Sequence, residues 1–223
     1  MIELKGVSKT YNKGKENEVY ALVNVDFKIE DGQMIAITGP SGSGKSTLLN
    51  ILSGNLKYDK GIYLYDNIEV GKLNDKDLSS FKNNEIGVVF QDNLLMESNS
   101  VIENVELPLL FGKNITKSKR QEFSYSALKK VNMIEYKDRP VKKLSGGQKQ
   151  RVAISRAIVN SPSVLLADEP TGSLDSENKR QIMQLFAEIN KSGTTVIIVT
   201  HDEYVTKYCN RLISIVDGKI VEK

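Results

Sequence analysis

Residues 2–9 and 19–30 alternate apolar and polar positions, the period of strands with one face buried. In the second stretch Val23, Val25, Phe27 and Ile29 take alternate places, and Asp31-Gly32 then marks a turn. Residues 34–37 form a short continuous apolar run, the pattern of a strand covered on both faces. A helix is expected over 46–53, ended by Gly54 in a C-terminal capping position. Residues 61–70 alternate again through Ile62, Leu64, Ile68 and Val70, with a turn near Asp66-Asn67. A further strand is read over 86–90. From about 93 to 160 the pattern is mostly helical with polar faces, and Pro108 and Pro140 are read as breaks. Two more continuous apolar strands, 163–167 and 194–200, flank a helix over 176–190. The end reads as a hairpin of strands 212–216 and 219–222 around Asp217-Gly218.

Continuous apolar strands alternating with helices predict a parallel sheet covered on both sides. The expected fold class is α/β, with an antiparallel flank at the front and a helical insertion. No internal repeat, low-complexity tract or linker interrupts the pattern.

The 223 residues suffice for one large domain or two small ones. At 39% hydrophobic and 26% charged, the chain can fill a core, which excludes global disorder. A formal charge of +3 is too weak to argue for DNA or RNA, so no nucleic-acid partner is expected. The single cysteine, Cys209, forms no internal disulfide and belongs to no zinc pattern; it reads as half-buried, in a reducing cytoplasm. The longest apolar runs are 34–37, 164–167 and 196–199, far below the roughly 20 residues of a membrane span. The first residues lack the apolar stretch of a signal peptide. Any membrane connection is therefore expected to come through a partner.

The first chemistry is Gly39-Pro40-Ser41-Gly42-Ser43-Gly44-Lys45-Ser46-Thr47, which fits G-x-x-x-x-G-K-[ST] between a buried strand and a helix. Its glycines let the backbone curl so that N–H groups point inward, and with the helix dipole they hold phosphate oxygens. Lys45 is expected between the β- and γ-phosphates, and the Ser46 hydroxyl is a candidate ligand for Mg²⁺. A glycine-rich turn with a surface lysine is the bland alternative. This cradle specifies a nucleoside triphosphate and no more.

The strand through Val164 ends in Asp168 and Glu169. Asp168 is expected to face Mg²⁺ on the neighbouring cradle, because open α/β sheets bind ligands at the C-terminal edge of their strands. Glu169 is placed to accept a proton from an attacking water, or to orient it.

Leu144-Ser145-Gly146-Gly147-Gln148, followed by Lys149-Gln-Arg-Val-Ala-Ile-Ser-Arg156, resembles the signature of ATP-binding cassette (ABC) ATPases. In physical terms it is a second helix N-terminus with a serine and two glycines, so a second anion site; an ordinary capping turn is the alternative. The resemblance covers essentially the whole chain. It implies a P-loop NTPase fold: a RecA-like parallel core, an N-terminal antiparallel β subdomain and an inserted α-helical subdomain. One cassette domain over 1–223 is expected, with core and β subdomain at about 1–92 and 160–223 and the helical subdomain at about 93–159. The resemblance also implies roles. Gln91 ligates Mg²⁺ and positions water, Ser173-Leu174-Asp175 links two ATP sites, and His201 contacts the γ-phosphate. Tyr11 stacks on adenine, with Tyr20 as a rival. His201, the only histidine, ends an apolar strand as the catalytic acids do, which favours a functional over a structural reading.

The implied mechanism is a homodimer with two ATP molecules between the chains. Lys45, Ser46, Gln91, Asp168, Glu169 and His201 of one chain meet Ser145 and Gly147 of the other. The implied partner is a membrane permease, docked through 92–111 between Asp92 and Phe111; the apolar Leu107-Pro-Leu-Leu-Phe111 also fits ordinary helix packing. That gives a cytoplasmic subunit held peripherally at the inner face of the membrane. Finer motifs resemble the lipoprotein-release, macrolide-export and antimicrobial-peptide-resistance branch. A permease-coupled mechanical regulator of the cell-division type is the alternative, and a nucleotide-binding module without turnover is a third reading, against which Glu169 argues. Gln33 stands where relatives often carry glutamate, with no functional consequence expected.

Overall fold

The computed structural model describes residues 1–111 and 115–222. Residues 112–114, inside the expected helical subdomain, and Lys223 lie outside the described residues. The chain opens with two long antiparallel strands, β1 (Ile2–Tyr11) and β2 (Val19–Ile29), and continues into β3 (Met34–Thr38) and helix α1 (Lys45–Leu52). Strands β4 (Lys60–Tyr65) and β5 (Ile68–Glu69) follow, then α2 (Asp75–Asn84) and β6 (Ile86–Val89). Helices α3 (Val101–Leu110), α4 (Lys117–Lys130) and α5 (Gly146–Ile158) fill the middle. The last third is β7 (Val164–Asp168), α6 (Ser176–Lys191), β8 (Thr195–Val199), a short α7 (Glu203–Thr206) and the hairpin β9 (Arg211–Val216) and β10 (Lys219–Glu222).

Two sheets result: an antiparallel one in the order β2-β1-β4-β5, and a second in the order β10-β9-β3-β8-β7-β6. In the second, β9, β3, β8, β7 and β6 run parallel and β10 returns antiparallel to β9. The continuous apolar strands are covered on both sides because successive side chains point to opposite faces. Met34, Leu165, Ala167, Val196 and Ile198 pack against the layer of α3, α4, α5 and α6, beside Val105, Val152 and Phe186. Ile35, Ile37, Val164, Leu166, Ile197 and Val199 pack the other way, against Leu48 and Leu52 of α1 and the inner face of the antiparallel sheet.

Three readings of the pattern are corrected. In β4 the core-facing residues are Tyr63 and Tyr65, while Ile62 is 39% exposed and Leu64 half-buried. The aliphatic residues mark one phase of the alternation, and the structure buries the other. The tyrosine rings face inward and satisfy their hydroxyls, Tyr63 donating to the Leu52 carbonyl at 3.0 Å and Tyr65 to Glu85 at 3.0 Å. In β2 the alternation slips: Ala21 and Leu22 are both buried and Val23 is not, because the pairing with β1 shifts register around Asn24, a residue at φ 49°. Pro108 does not break its helix. It sits near the C-terminal end of α3, where a missing N–H costs one bond, and the helix closes with the Phe111 N–H on the Pro108 carbonyl at 3.3 Å. Pro140 does stand outside α-helix, opening the 3₁₀ turn Val141–Lys143. The pattern gave no notice of α2 or α7, whereas the alternation on both sides of Asp66-Asn67 does correspond to the pair β4 and β5.

Replacing Tyr63 by alanine is expected to cost about 3–5 kcal/mol in urea unfolding, as for a buried ring, against about 0.5 kcal/mol for Ile62→Ala. Equal costs would show the phase of β4 to be otherwise.

Candidate active site

The parallel strands carry their polar residues out at one edge, the C-terminal one, in an order set by the sheet. The cradle follows β3, His201 follows β8, Asp168 and Glu169 end β7, and Gln91 follows β6. The sequence placed the catalytic strand beside the cradle; in the structure β8 lies between β3 and β7. The gap is bridged by α1, which packs against both β8 and β7 and brings the Ser46 side chain close enough to Asp168 to act on its carboxyl.

The cradle's curl is enforced by close backbone approach. Gly39 (φ 147°) and Gly44 (φ 106°) could not carry a side chain: a Cβ would fall 2.1 Å from the Ile215 carbonyl and 2.2 Å from that of Ala21. The loop is thus pressed on β9 and β2 from behind, and the Gly218 N–H donates to the Ser43 carbonyl at 3.1 Å. Pro40, Ser41 and Gly42 are exposed on the outer side, whereas Ser43 is buried and its hydroxyl has no protein partner. Gly44 offers no side chain to cap α1, and the first turn holds no acid. Asn74, Ser100, Thr116, Ser145, Asp175 and Asp202 cap α2 through α7 with their side chains, so α1 alone, among the described α-helices, presents bare N–H groups and an unneutralised dipole. That arrangement fits an anion. Lys45 lies over the loop, its ammonium donating to the carbonyls of Gly39 (2.9 Å) and Pro40 (2.7 Å). Thr47 meets the Tyr11 hydroxyl at 3.4 Å, which sets Tyr11 beside the cradle; Tyr20 is 65% exposed and pairs with Glu18.

Asp168 has its proton affinity raised, first by burial, against the opposing effect of the Ser46 hydrogen bond; Glu169 adds to the rise and Lys45 reduces it. Glu169 stands at φ 44°, left-handed for a residue that is not glycine, its N–H fixed to the Val199 carbonyl at 2.9 Å. Its carboxylate is held by three donors from the end of β8: the Thr200 hydroxyl at 3.2 Å, the His201 N–H at 3.1 Å and, at 2.7 Å, the His201 ring through Nδ1. Thr200 escaped the sequence reading, where it counted only as the end of a strand. Behind it, Lys179 of α6 pairs with Asp202, whose N–H returns to the Thr200 hydroxyl at 3.0 Å.

Gln91 is exposed at the flank of this group and makes no side-chain hydrogen bond among the described residues. The signature residues stand apart. Ser145 and Gln148 cap each other, the Ser145 N–H donating to Gln148 at 3.0 Å and the Gln148 N–H to the Ser145 hydroxyl at 3.4 Å. Gly146 and Gly147 form the first turn of α5, and a Cβ on Gly147 would lie 2.4 Å from the Asn178 Oδ1. Asn178 in turn donates to Asp175, the cap of α6, at 2.6 Å. None of the four bonds the cradle of its own chain among the described residues.

Ser46 and Asp168 are neighbouring oxygen ligands, and Gln91 follows β6, the strand beside that of Asp168. They fit Mg²⁺, which keeps several waters and takes one or two protein oxygens along with substrate phosphates. No cluster of three or more His, Cys, Asp or Glu among the described residues offers a cage for a softer metal.

A family model described as ABC transporter matches residues 22–172. The uncharacterized ABC transporter ATP-binding protein YvrO of Bacillus subtilis is 44% identical over 99% of this chain and 96% of its own length. The lipoprotein-releasing system ATP-binding protein LolD of Bacteroides fragilis is 41% identical over 99% of this chain and 100% of its own. Among solved structures, a dimeric ATP-binding cassette of Methanocaldococcus jannaschii, in a post-hydrolysis state bound to ADP and Pi, matches with a TM-score of 0.90. It is 41% identical and covers 100% of this chain and 98% of that one.

A raised aspartate pKa means that the fold holds the proton more tightly than the unfolded chain does. Its penalty is absent below the ordinary aspartate range and grows as pH rises through the window up to the folded value. In EDTA, Asp168→Asn is therefore expected to raise Tm near neutral pH, with the gain shrinking as pH falls toward 4. Differential scanning fluorimetry across pH reads this; a gain that is constant with pH would contradict it.

Proposed function

The chain belongs to the ABC transporter family as an ATP-binding, ATP-hydrolysing subunit, and on that premise we propose how its residues divide the work. Lys45 and the uncapped N–H groups of α1 hold the β- and γ-phosphates, with the loop from Gly39 to Thr47 wrapped about them. Tyr11 stacks on the adenine. Ser46, Asp168 and Gln91 would hold Mg²⁺, which would supply positive charge to offset that of the phosphates. Glu169 orients the attacking water and takes its proton. His201 keeps Glu169 in place through Nδ1, leaving its other ring nitrogen for the γ-phosphate. The observation that carries this reading is the pairing of one uncapped helix N-terminus after β3 with a carboxylate after β7 that three donors from the intervening β8 lock in place.

Ser145, Gly146, Gly147 and Gln148 complete the site of a second copy. Their bonds are satisfied within their own helix turn and not at their own cradle, which suits a head-to-tail pair, and the cassette from Methanocaldococcus jannaschii, itself dimeric, supports the pairing of two copies. The signature then acts on the γ-phosphate as a donor supplied in trans. ATP binds the two faces together, and hydrolysis with phosphate release lets them part.

The work passes to a membrane permease. No helix among the described residues is long and apolar enough to cross a membrane. Leu110 and Phe111 at the end of α3 are exposed, Phe111 by 80%, as are Leu94 and Met96 ahead of it, while Val105 and Leu109 of α3 are buried, so this segment both packs the core and presents an apolar rim. Between rim and sheet lies a groove of about 510 Å³ lined by Phe90, Leu107 and Arg156, suited to an apolar helix of a permease. The helical subdomain at about 93–159 would carry that load, against a core and β subdomain at about 1–92 and 160–223. The chain would then sit on the cytoplasmic face of the membrane, powering export or extraction of a lipoprotein, peptide or drug; the relative LolD supports the first.

Glu169→Gln is expected to lower ATPase turnover by roughly 10²-fold or more, the scale of a lost general base. By size-exclusion chromatography with light scattering it should run as a monomer that becomes a dimer only with Mg-ATP. Unchanged turnover would remove Glu169 from the mechanism, and a monomer that binds ATP would withdraw the homodimer.

A further inference from the structure

The helix that carries the signature also carries, roughly three turns further along, an arginine that lines the permease groove and has no part in the nucleotide site. Arg156 donates through Nη1 to the Leu94 carbonyl and through Nη2 to the Asn93 carbonyl, both at 2.6 Å. These acceptors belong to the turn that follows Gln91. Asn93 and Leu94 are both left-handed, at φ 59° and 45°, a conformation that asparagine tolerates and leucine adopts only under restraint. The turn is tight: the Asn93 N–H returns to Phe90 at 3.0 Å and the Leu94 N–H to Asp92 at 2.6 Å. The Asn93 Oδ1 is buried and has no partner, so the turn is not stabilised through its own side chain. Gln91 has no side-chain bond to fix it. What fixes Gln91 is the turn, and what holds the turn is the planar two-donor fork of Arg156, a geometry that lysine cannot reproduce.

We propose that Arg156 is a positioning residue that locks the glutamine loop to the signature helix, so that seating the signature on a second copy carries Gln91 into register in its own site. One rigid helix, Gly146–Ile158, then serves one site with its first turn and the other with its last. This rests on the reading that Gln91 acts at the nucleotide.

The test is a double-mutant cycle in the full chain: Arg156→Gln, Arg156→Lys, Gln91→Ala and the combinations, reading kcat, KM for Mg-ATP, and Tm. Arg156→Gln is expected to lower kcat about 10-fold with KM within about 3-fold, since the cradle is untouched. Arg156→Lys should recover part of the loss. In the Gln91→Ala background, Arg156→Gln should add less than about 2-fold, because both changes remove the same contribution. Fold losses that multiply, or a lowered Tm with parental kcat, would overturn the proposal and leave Arg156 a packing residue. If Arg156→Gln fails to fold, Arg156→Lys carries the same cycle. Gln91→Ala alone at the parental rate would instead fault the role of Gln91, and the proposal would fall with it.

Discussion

Burial of β3, β7 and β8 on both faces is the constraint from which the rest of the molecule follows. Side chains such as Ile35, Leu166 and Ile197 point to one apolar layer, and Leu165, Val196 and Ile198 to the other. No face of these strands is left on which a charge could sit without a heavy desolvation cost. Polar chemistry is therefore confined to the strand ends, where the backbone leaves the sheet. Lys45, Asp168, Glu169, Thr200 and His201 all sit within a few residues of such an end. Convergence at one edge follows from parallel strands, whose C-terminal ends share a side.

The site itself is built from departures from good local structure. Helix α1 forgoes a side-chain cap, Glu169 takes a left-handed conformation, Asp168 is drawn into a setting that favours its protonated form, and the Ser43 hydroxyl is buried without a partner. Each is unfavourable for the fold by itself and is held in place by contacts from elsewhere: β9 and β2 behind the cradle, the end of β8 around Glu169. Helix α6 gathers the outer loops. Its cap Asp175 reaches Gly147 of the signature through Asn178, and its Lys179 reaches the loop after His201 through Asp202. Signature, linking loop and histidine loop thus share one rigid support, and Arg156 adds the glutamine loop through α5.

Where the sequence misled, a local pattern was outvoted by contacts distant in the chain. Tyr63 and Tyr65 read as amphipathic residues suited to either face; α1 and Glu85, which accept their hydroxyl bonds, decide the matter. Val23 loses its place because Gly6 and Asn24, on paired strands, both turn left-handed and shift the register. Helix α2 offers only Leu78 and Phe81, half-buried against the core, a stripe too short to mark a helix by its period. Thr200 and Arg156 carry no signal of their own: a threonine after an apolar strand and an arginine in a helix are commonplace until their partners are seen.

The sequence by itself determined the periodicities, and with them the parallel core, the order of its elements and the residues that end each strand. It also determined the cradle, because glycines, Lys45 and Ser46 at that spacing between strand and helix act over a few residues of backbone. Lateral order was beyond it. That β8 enters between β3 and β7, that α1 therefore carries Ser46 across to Asp168, and that His201 falls against Glu169 are matters of strand pairing across the sheet. Pairing is decided by the packing of whole layers, and no stretch of chain contains it.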